Sequence, residues 1–202
     1  MTKKYIFPVL TLIILFSSCD SDPQMDRTIF IPDETEPELP AYTEWGYNSF
    51  GAIYDNRSYF VVSSVIAPCK ILYKEGHLHF SLNGIMKGSY LVESEKITLD
   101  FIFPSEKIEQ YNDLLMLNDK QINLTSTDCV VKIIRNENER TLNVIDGILH
   151  FKRAQHLYID DRSNRVILSG IFALRFLEYE FPTIISGGRF DVGINNNVFY
   201  AY

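Results

Sequence analysis

Hydrophobic and polar residues alternate with a period of two in several segments of the chain, a pattern typical of β-strands with one buried face. From residue 97 to residue 103, every second side chain is large and apolar. A longer strand is predicted over residues 166–176, where large apolar side chains recur on one face. Shorter alternating segments cover residues 78–82, 129–133 and 190–192. The pattern therefore predicts a mainly β fold built from antiparallel strands.

Polar turn sequences separate these segments. Residues 74–76 (Lys-Glu-Gly) and residues 55–57 (Asp-Asn-Arg) each divide two apolar segments, as hairpin turns do. Asp146-Gly147 is also a hairpin signal. However, the phase of the apolar residues shifts there, and a bulge within one long strand would also produce such a shift. Both interpretations stay open from the sequence.

One segment departs from the alternation. After Pro104, apolar residues recur at helical spacing, and Ser105 is placed as an N-cap. These positions are Ile108, Tyr111, Leu114 and Leu115. They predict one short α-helix of about three turns over about 105–117. The predicted fold is an antiparallel β-sandwich or open barrel with this single helix.

Residues 1–18 have the arrangement of a secretory signal peptide. Two lysines at positions 3 and 4 precede an apolar run over residues 5–16, and two serines follow it. The run is about a dozen residues long, shorter than the roughly 20 residues of a membrane-spanning helix. It predicts a cleaved signal peptide rather than a retained transmembrane anchor.

Phe-Ser-Ser-Cys at residues 16–19 resembles the lipobox of bacterial lipoproteins. The resemblance implies cleavage before Cys19, a diacylglycerol on its sulfur and an acylated amino group. Several acyl chains on one residue give durable attachment to a membrane, at about 0.8 kcal/mol for each buried methylene. The resemblance thus predicts a lipoprotein of the cell envelope that is anchored through Cys19.

Residues 19–44 are predicted to be the lipidated cysteine and an acidic, proline-containing tether. After Cys19 this segment holds eight acidic residues, four prolines and one arginine, so its net charge equals the −7 of the whole chain. Proline and like charges extend a linker. The remaining residues, 45–202, are nearly neutral and are predicted to form a single β-rich domain.

Asp20 and Asp22 directly follow the cysteine and resemble the surface-export signals of Bacteroidetes lipoproteins. This resemblance implies an outer-membrane location, with the cell surface favoured over the periplasmic face.

Two further motifs carry a resemblance. Gly-Tyr-Asn-Ser-Phe-Gly at residues 46–51 and Gly-Arg-Phe-Asp-Val at residues 188–192 are similar to the opening and closing strands of uncharacterised Bacteroidetes lipoproteins. In these motifs, glycines stand where the backbone bends and aromatic residues stand where it packs. The resemblance implies a fold and a location, and it implies no activity.

Two pairs of residues could carry chemistry. His77 and His79 lie on one strand face and could begin a zinc site if a third ligand converged. Since Leu78 and Phe80 take the core face, the alternative is a solvated polar face. Cys69 and Cys129 could form a disulfide outside the cytoplasm, or they could be two buried free thiols.

Aromatic residues suggest a surface for ligand binding. Exposed aromatic rings on β-rich surface proteins can stack on sugars, and some aromatics of this chain lie outside the core phase. The candidates are Trp45, Tyr47, Tyr54 and Tyr59. The alternative is that these rings hold the ends of the chain in place.

The motifs of common enzyme classes are missing from the sequence, including nucleophile elbows, phosphate loops and dinucleotide fingerprints. Basic residues are dispersed, which gives no support for nucleic-acid binding. We therefore expect a non-catalytic domain without a cofactor that binds a glycan or an envelope protein. The alternatives are a lipocalin-like carrier, which requires an enclosed apolar cavity, and an unrecognised hydrolase, which requires converging polar residues with perturbed pKa values.

The lipobox resemblance generates a direct prediction. Replacement of Cys19 by Ala is expected to abolish incorporation of labelled palmitate when the chain is expressed in a bacterium, because the sulfur that receives the lipid is lost. Cys129→Ser is the matched control, and it should be labelled like the natural chain. Labelling of the Cys19→Ala chain would show that another residue carries the lipid.

Overall fold

The computed structural model describes residues 29–55, 58–62, 67–88, 95–159 and 162–202. This part of the chain contains fourteen β-strands and one 3₁₀ helix. The strands are β1 (Phe30–Ile31), β2 (Tyr42–Thr43), β3 (Ser49–Tyr54), β4 (Ser58–Val61), β5 (Cys69–Lys74), β6 (His77–Gly88), β7 (Glu95–Pro104), β8 (Lys120–Asn123), β9 (Val130–Arg135), β10 (Asn138–Thr141), β11 (Asn143–Ile159), β12 (Arg162–Glu178), β13 (Phe181–Ile194) and β14 (Phe199–Ala201). The helix is Tyr111–Leu117.

Twelve of the strands form one large sheet, which curls into a half-barrel. Its order is β10-β9-β7-β6-β4-β3-β13-β12-β11-β8, and all pairs along this path are antiparallel. β5 lies beside β6, next to the segment that pairs with β4, and β14 pairs with β5 in parallel. The predicted mainly β fold is confirmed. Within the described residues, no helix is long and apolar enough to cross a membrane.

Phenylalanine rings fill the space inside the curl. Phe80 on β6 contacts Phe151 on β11 and Phe190 on β13, with ring centroids 5.1 and 4.9 Å apart. Phe101 on β7 contacts Phe172 on β12 at 5.3 Å. Since four strands separate β6 from β11 in the sheet order, these rings meet across the interior and join the two halves of the sheet. Edge and tilted contacts of this kind stabilise by about 0.5–1.5 kcal/mol each beyond the burial of area.

The predicted alternation appears in the burial of the strands. In β7, Ile97, Leu99, Phe101 and Phe103 are all buried. The open question at Asp146 is also answered, because β11 runs through it without a hairpin. The register with β12 shifts between Val144 and Asp146, so this position is a bulge in one long strand.

The predicted helix is shorter than expected and of a different type. It begins at Tyr111 rather than Ser105, and it is a 3₁₀ helix. The carboxylate of Asp113 accepts hydrogen bonds from the backbone N–H groups of Glu109 (2.9 Å) and Gln110 (3.0 Å). These bonds lower the pKa of Asp113 and fix the start of the helix at Gln110. Of the four apolar positions predicted, Ile108 and Leu114 are buried and Tyr111 and Leu115 are partly buried against the core.

Residues 33–44, here called the N-terminal strap, pack against the sheet. The sequence pattern placed these residues in the tether, yet Leu39 and Tyr42 are buried. Arg189 donates from Nη2 to Asp33 at 2.6 Å, and this hydrogen bond holds the pKa of Asp33 well below its usual range. The folded part therefore extends into the segment predicted as tether. Further hydrogen bonds join the strap to the sheet, from Gln155 to the carbonyl oxygen of Glu44 and from Arg189 to that of Pro40.

Asp191 joins the strap to the closing strand. Its buried carboxylate accepts hydrogen bonds from the backbone N–H groups of residues 45–47 at 2.7 to 3.1 Å. It also accepts from the hydroxyl groups of Thr43 and Ser169. The two motifs that resemble those of Bacteroidetes lipoproteins thus meet in space, since Asp191 belongs to one and Gly46 to the other.

Loss of this carboxylate tests its role in folding. Asp191→Asn is expected to lower the free energy of unfolding by about 3 kcal/mol. The substitution replaces one carboxylate oxygen by an NH₂ group, which cannot accept the hydrogen bonds that the surrounding N–H and O–H groups donate. The urea midpoint and slope of the unfolding transition measure the change. The exposed Asp128→Asn should unfold like the natural chain. Equal stability of the two variants would contradict the role assigned to Asp191.

Candidate functional site

An open groove of about 810 Å³ crosses the outer face of the sheet over β8, β11, β12 and β13. We call it the outer groove. Its lining side chains include polar Gln121, Asn123, Asp146, Arg175 and Ser186, and apolar Ile148, Ala173 and Ile184.

Strand register arranges the lining in two rows. The first row runs from Asn123 on β8 through Ile148 on β11 to Ala173 on β12. The second runs from Asp146 on β11 through Arg175 on β12 to Ile184 on β13. Side chains directly opposite each other on neighbouring strands lie about 5 Å apart. Ala173 has the shortest side chain of the two rows, so the floor of the groove is lowest there.

Two bulges lie at the sides of the groove. One is on β11 between Val144 and Asp146, and the other is on β13, which carries an extra residue relative to both neighbours before Arg189. Gly187 in the second bulge has a φ of +60°, the left-handed region that favours glycine. Bulges bend a strand and change the direction of its side chains. They give this part of the outer face its concave shape.

The lining can exchange hydrogen bonds with a hydroxyl-rich ligand. The amide of Gln121 can donate and accept, Arg175 donates, and Asp146 accepts. Asn123 offers its amide N–H groups, because its side-chain oxygen already accepts from the backbone N–H and the hydroxyl of Thr125. Asp146 is the one carboxylate among the described residues of the lining. Glycoside hydrolysis generally uses a pair of carboxylates.

Three of the four aromatic candidates, Trp45, Tyr47 and Tyr54, do not line the outer groove. Tyr47 is 66% exposed, and the backbone N–H groups of Trp45 and Tyr47 are held by Asp191. Tyr54 is buried against Phe60, with ring centroids 5.4 Å apart, so it cannot be the exposed platform that was predicted. The side chain of Tyr59 lies outside the described residues.

His77 and His79 flank the buried Leu78, as the alternation predicted. Nδ1 of His77 lies 3.1 Å from the carbonyl oxygen of Glu75, and Nδ1 of His79 lies 3.3 Å from a carboxylate oxygen of Asp100. Among the residues that the structure describes, His, Cys, Asp and Glu side chains form no group of three that could hold a metal ion.

Cys69 and Cys129 are both free thiols in the structure, and only Cys69 is buried as the free-thiol alternative expected of both. Cys69 is completely buried in β5, and burial raises the pKa of its thiol far above the usual range. Cys129 is half-buried, and burial together with the charge of Asp128 raises its pKa as well. Both thiols are therefore poorly reactive at neutral pH.

The residues of the outer groove were not among the candidates from sequence. Gln121, Asn123 and Arg175 are ordinary outward-facing polar positions, and their convergence depends on strand order. The phase shift at Asp146-Gly147 was the one local signal, since it marked the bulge beside the groove.

Comparison of the chain with known protein families, with curated proteins and with solved structures gave no match.

The two thiols give a test of the structure. In the folded Cys19→Ala chain, a thiol reagent at pH 8 is expected to label Cys129 slowly and Cys69 only after unfolding in urea, because Cys69 is inaccessible. The reagent releases a chromophore for each thiol that reacts, and its absorbance in urea should correspond to two thiols per chain. The Cys129→Ser control should give one thiol per chain. A count of zero in urea without reductant would show a disulfide instead.

Proposed function

We propose that this protein is a non-catalytic, lipid-anchored protein of the outer membrane whose β domain binds a glycan chain in the outer groove. The concave, hydrogen-bonding lining of that groove is the observation that carries the proposal.

The proposed anchor is Cys19, which lies outside the described residues. Its lipobox and the signal peptide before it support attachment to the membrane. β1 at Phe30–Ile31 pairs with β2 in the strap, so the proposed leash is at most residues 20–29. At about 3.4 Å per residue, these residues reach about 34 Å from the membrane. This distance would hold the domain near the outer-membrane surface, where envelope glycans are concentrated.

A glycan fits the groove better than the other ligands considered. The volume of about 810 Å³ lies within the roughly 300–1,000 Å³ of small-ligand sites. An open groove also admits a chain that continues beyond the site at either end. The lipocalin-like carrier needs an enclosed apolar cavity, whereas phenylalanine rings in contact fill the interior of the described part.

A protein partner is the second candidate, and one observation favours it. The turn between β12 and β13 exposes two aromatic side chains, Tyr179 (79% exposed) and Phe181 (74%), and Ile184 in the groove lies three residues further on. Exposed aromatic residues are enriched in protein interfaces. Tyr179 and Phe181 lie beside the outer groove, whereas Ile184 is part of its lining.

The proposal is tested by glycan-array screening of the purified Cys19→Ala chain, followed by titration of any bound oligosaccharide. Ala173→Trp is expected to weaken binding by at least about tenfold, because the indole would fill the lowest part of the floor, and about 1.4 kcal/mol corresponds to tenfold. Arg175→Ala should also weaken binding, since a donor to the ligand is lost.

Arg153→Ala is the matched control, because Arg153 is exposed on β11 and does not line the groove. It should bind like the natural domain. An array without any bound glycan, or binding that Ala173→Trp leaves unchanged, would contradict the proposal. Capture of a defined envelope protein that depends on Tyr179 and Phe181 would support the second candidate.

A further inference from the structure

A second, smaller pocket of about 360 Å³ lies where β9, β10 and the end of β12 meet. We call it the arginine pocket and define it by Arg135, Arg140, Glu178 and Tyr179. Within the described part of the chain, it shares no lining residue with the outer groove.

One carboxylate in this pocket serves several donors. Oε1 of Glu178 accepts from Nη1 of Arg140 at 3.0 Å and lies 3.8 Å from Nη2 of Arg135. Oε2 accepts a hydrogen bond from the hydroxyl of Tyr54. The single carboxylate of Glu178 thus neutralises one of the two guanidinium charges, and it holds both guanidinium groups close to itself.

Aromatic rings fix the planes of both guanidinium groups. Arg135 lies over the ring of Tyr54, 4.6 Å from its centroid, and Arg140 lies over the ring of Tyr179 at 4.4 Å. Such stacking orders the side chain before any ligand arrives. Each arginine side chain still exposes about a third of its area, 32% and 31%. The two groups are therefore preorganised and remain reachable.

The described charged groups of the pocket carry a net positive charge. Arg135 and Arg140 contribute two positive charges against one negative charge on Glu178. Glu139 also lines the pocket, but Nζ of Lys132 lies 2.6 Å from its carboxylate and balances it. The sum over these groups is +1.

Hydrogen-bonding capacity is also left over. Nε and Nη2 of Arg135 are buried and have no hydrogen-bond acceptor among the described residues. Buried donors are nearly always paired, so an unpaired guanidinium edge is unusual. The planar fork of arginine matches carboxylate and phosphate oxygens in pairs.

We propose that the arginine pocket binds an oxyanion group, with Arg135 and Arg140 as donors and Glu178 as the internal group that positions them. Phosphate, sulfate and carboxylate share the required chemistry. The bound group lies against the exposed part of each guanidinium group, over the Tyr179 side of the pocket, and the buried Nε and Nη2 of Arg135 are not among its donors.

The test is calorimetric titration of the full-length protein in detergent micelles with inorganic phosphate, sulfate and acetate at low ionic strength, where charge interactions are least screened. Arg140→Gln is expected to raise the dissociation constant at least about tenfold, since charged hydrogen bonds are lost. The dissociation constant of Arg140→Lys should lie between those of Arg140→Gln and the natural chain, because lysine keeps the positive charge and loses the planar, two-donor geometry of arginine.

Glu178→Gln distinguishes a binding site from an internal ion pair. It is expected to lower the dissociation constant at least about threefold, because the competing negative charge is removed. Circular dichroism checks that each variant is folded, and Arg153→Gln should bind like the natural chain. As a second measurement, phosphate should raise the melting temperature of the natural chain and not that of Arg140→Gln.

The proposal is overturned if none of the three anions binds, if Arg140→Gln binds like the natural chain, or if Glu178→Gln does not bind more tightly. It is also overturned if sodium chloride at equal ionic strength gives the same rise in melting temperature. Binding of phosphate and sulfate alone would assign the site to ester oxyanions, and binding of acetate as well would include carboxylates. None of these results depends on the outer groove, so the two proposals can fail separately.

Discussion

The contact of Phe80 with Phe151 and Phe190 closes the curled sheet, and the rest of the structure depends on it. Strands that are distant in the sheet order are brought face to face by these rings, and the interior between them is filled by aromatic side chains. Protein interiors are close-packed where side chains interdigitate in this way. Both proposed binding surfaces lie away from these rings, one on the outer face of the sheet and one at the end of β12.

Local sequence pattern predicted the elements that depend on local physics. The alternation over residues 97–103 gave the buried face of β7 correctly, because burial of one face imposes a period of two on any strand. The 3₁₀ helix was predicted at the right place but too long. Its start depends on the hydrogen bonds that the side chain of Asp113 accepts from the backbone of Glu109 and Gln110. The spacing of apolar residues does not indicate these polar contacts.

The strap and the outer groove could not be predicted in the same way, because both depend on contacts between residues distant in sequence. Asp33 and Arg189 are separated by 156 positions and Thr43 and Asp191 by 148. Composition alone made the strap look like a linker, since proline and acidic residues dominate it. The groove likewise needs the order of β8, β11, β12 and β13, and the outward-facing positions of a strand are free to hold almost any polar residue.

Both proposed binding surfaces lie where the regular sheet is interrupted. The outer face of a regular sheet offers little concavity, and the bulges of β11 and β13 supply it at the outer groove. The arginine pocket lies instead where β12 ends. The residues of the two surfaces differ in how much they contribute to the stability of the fold. Arg175 in the groove is exposed. Glu178 in the arginine pocket connects β12 to β3 and β10 through its hydrogen bonds with Tyr54 and Arg140. Groove residues can change with little effect on folding, while the ligand chemistry of the arginine pocket is constrained by the stability of the strands that meet there.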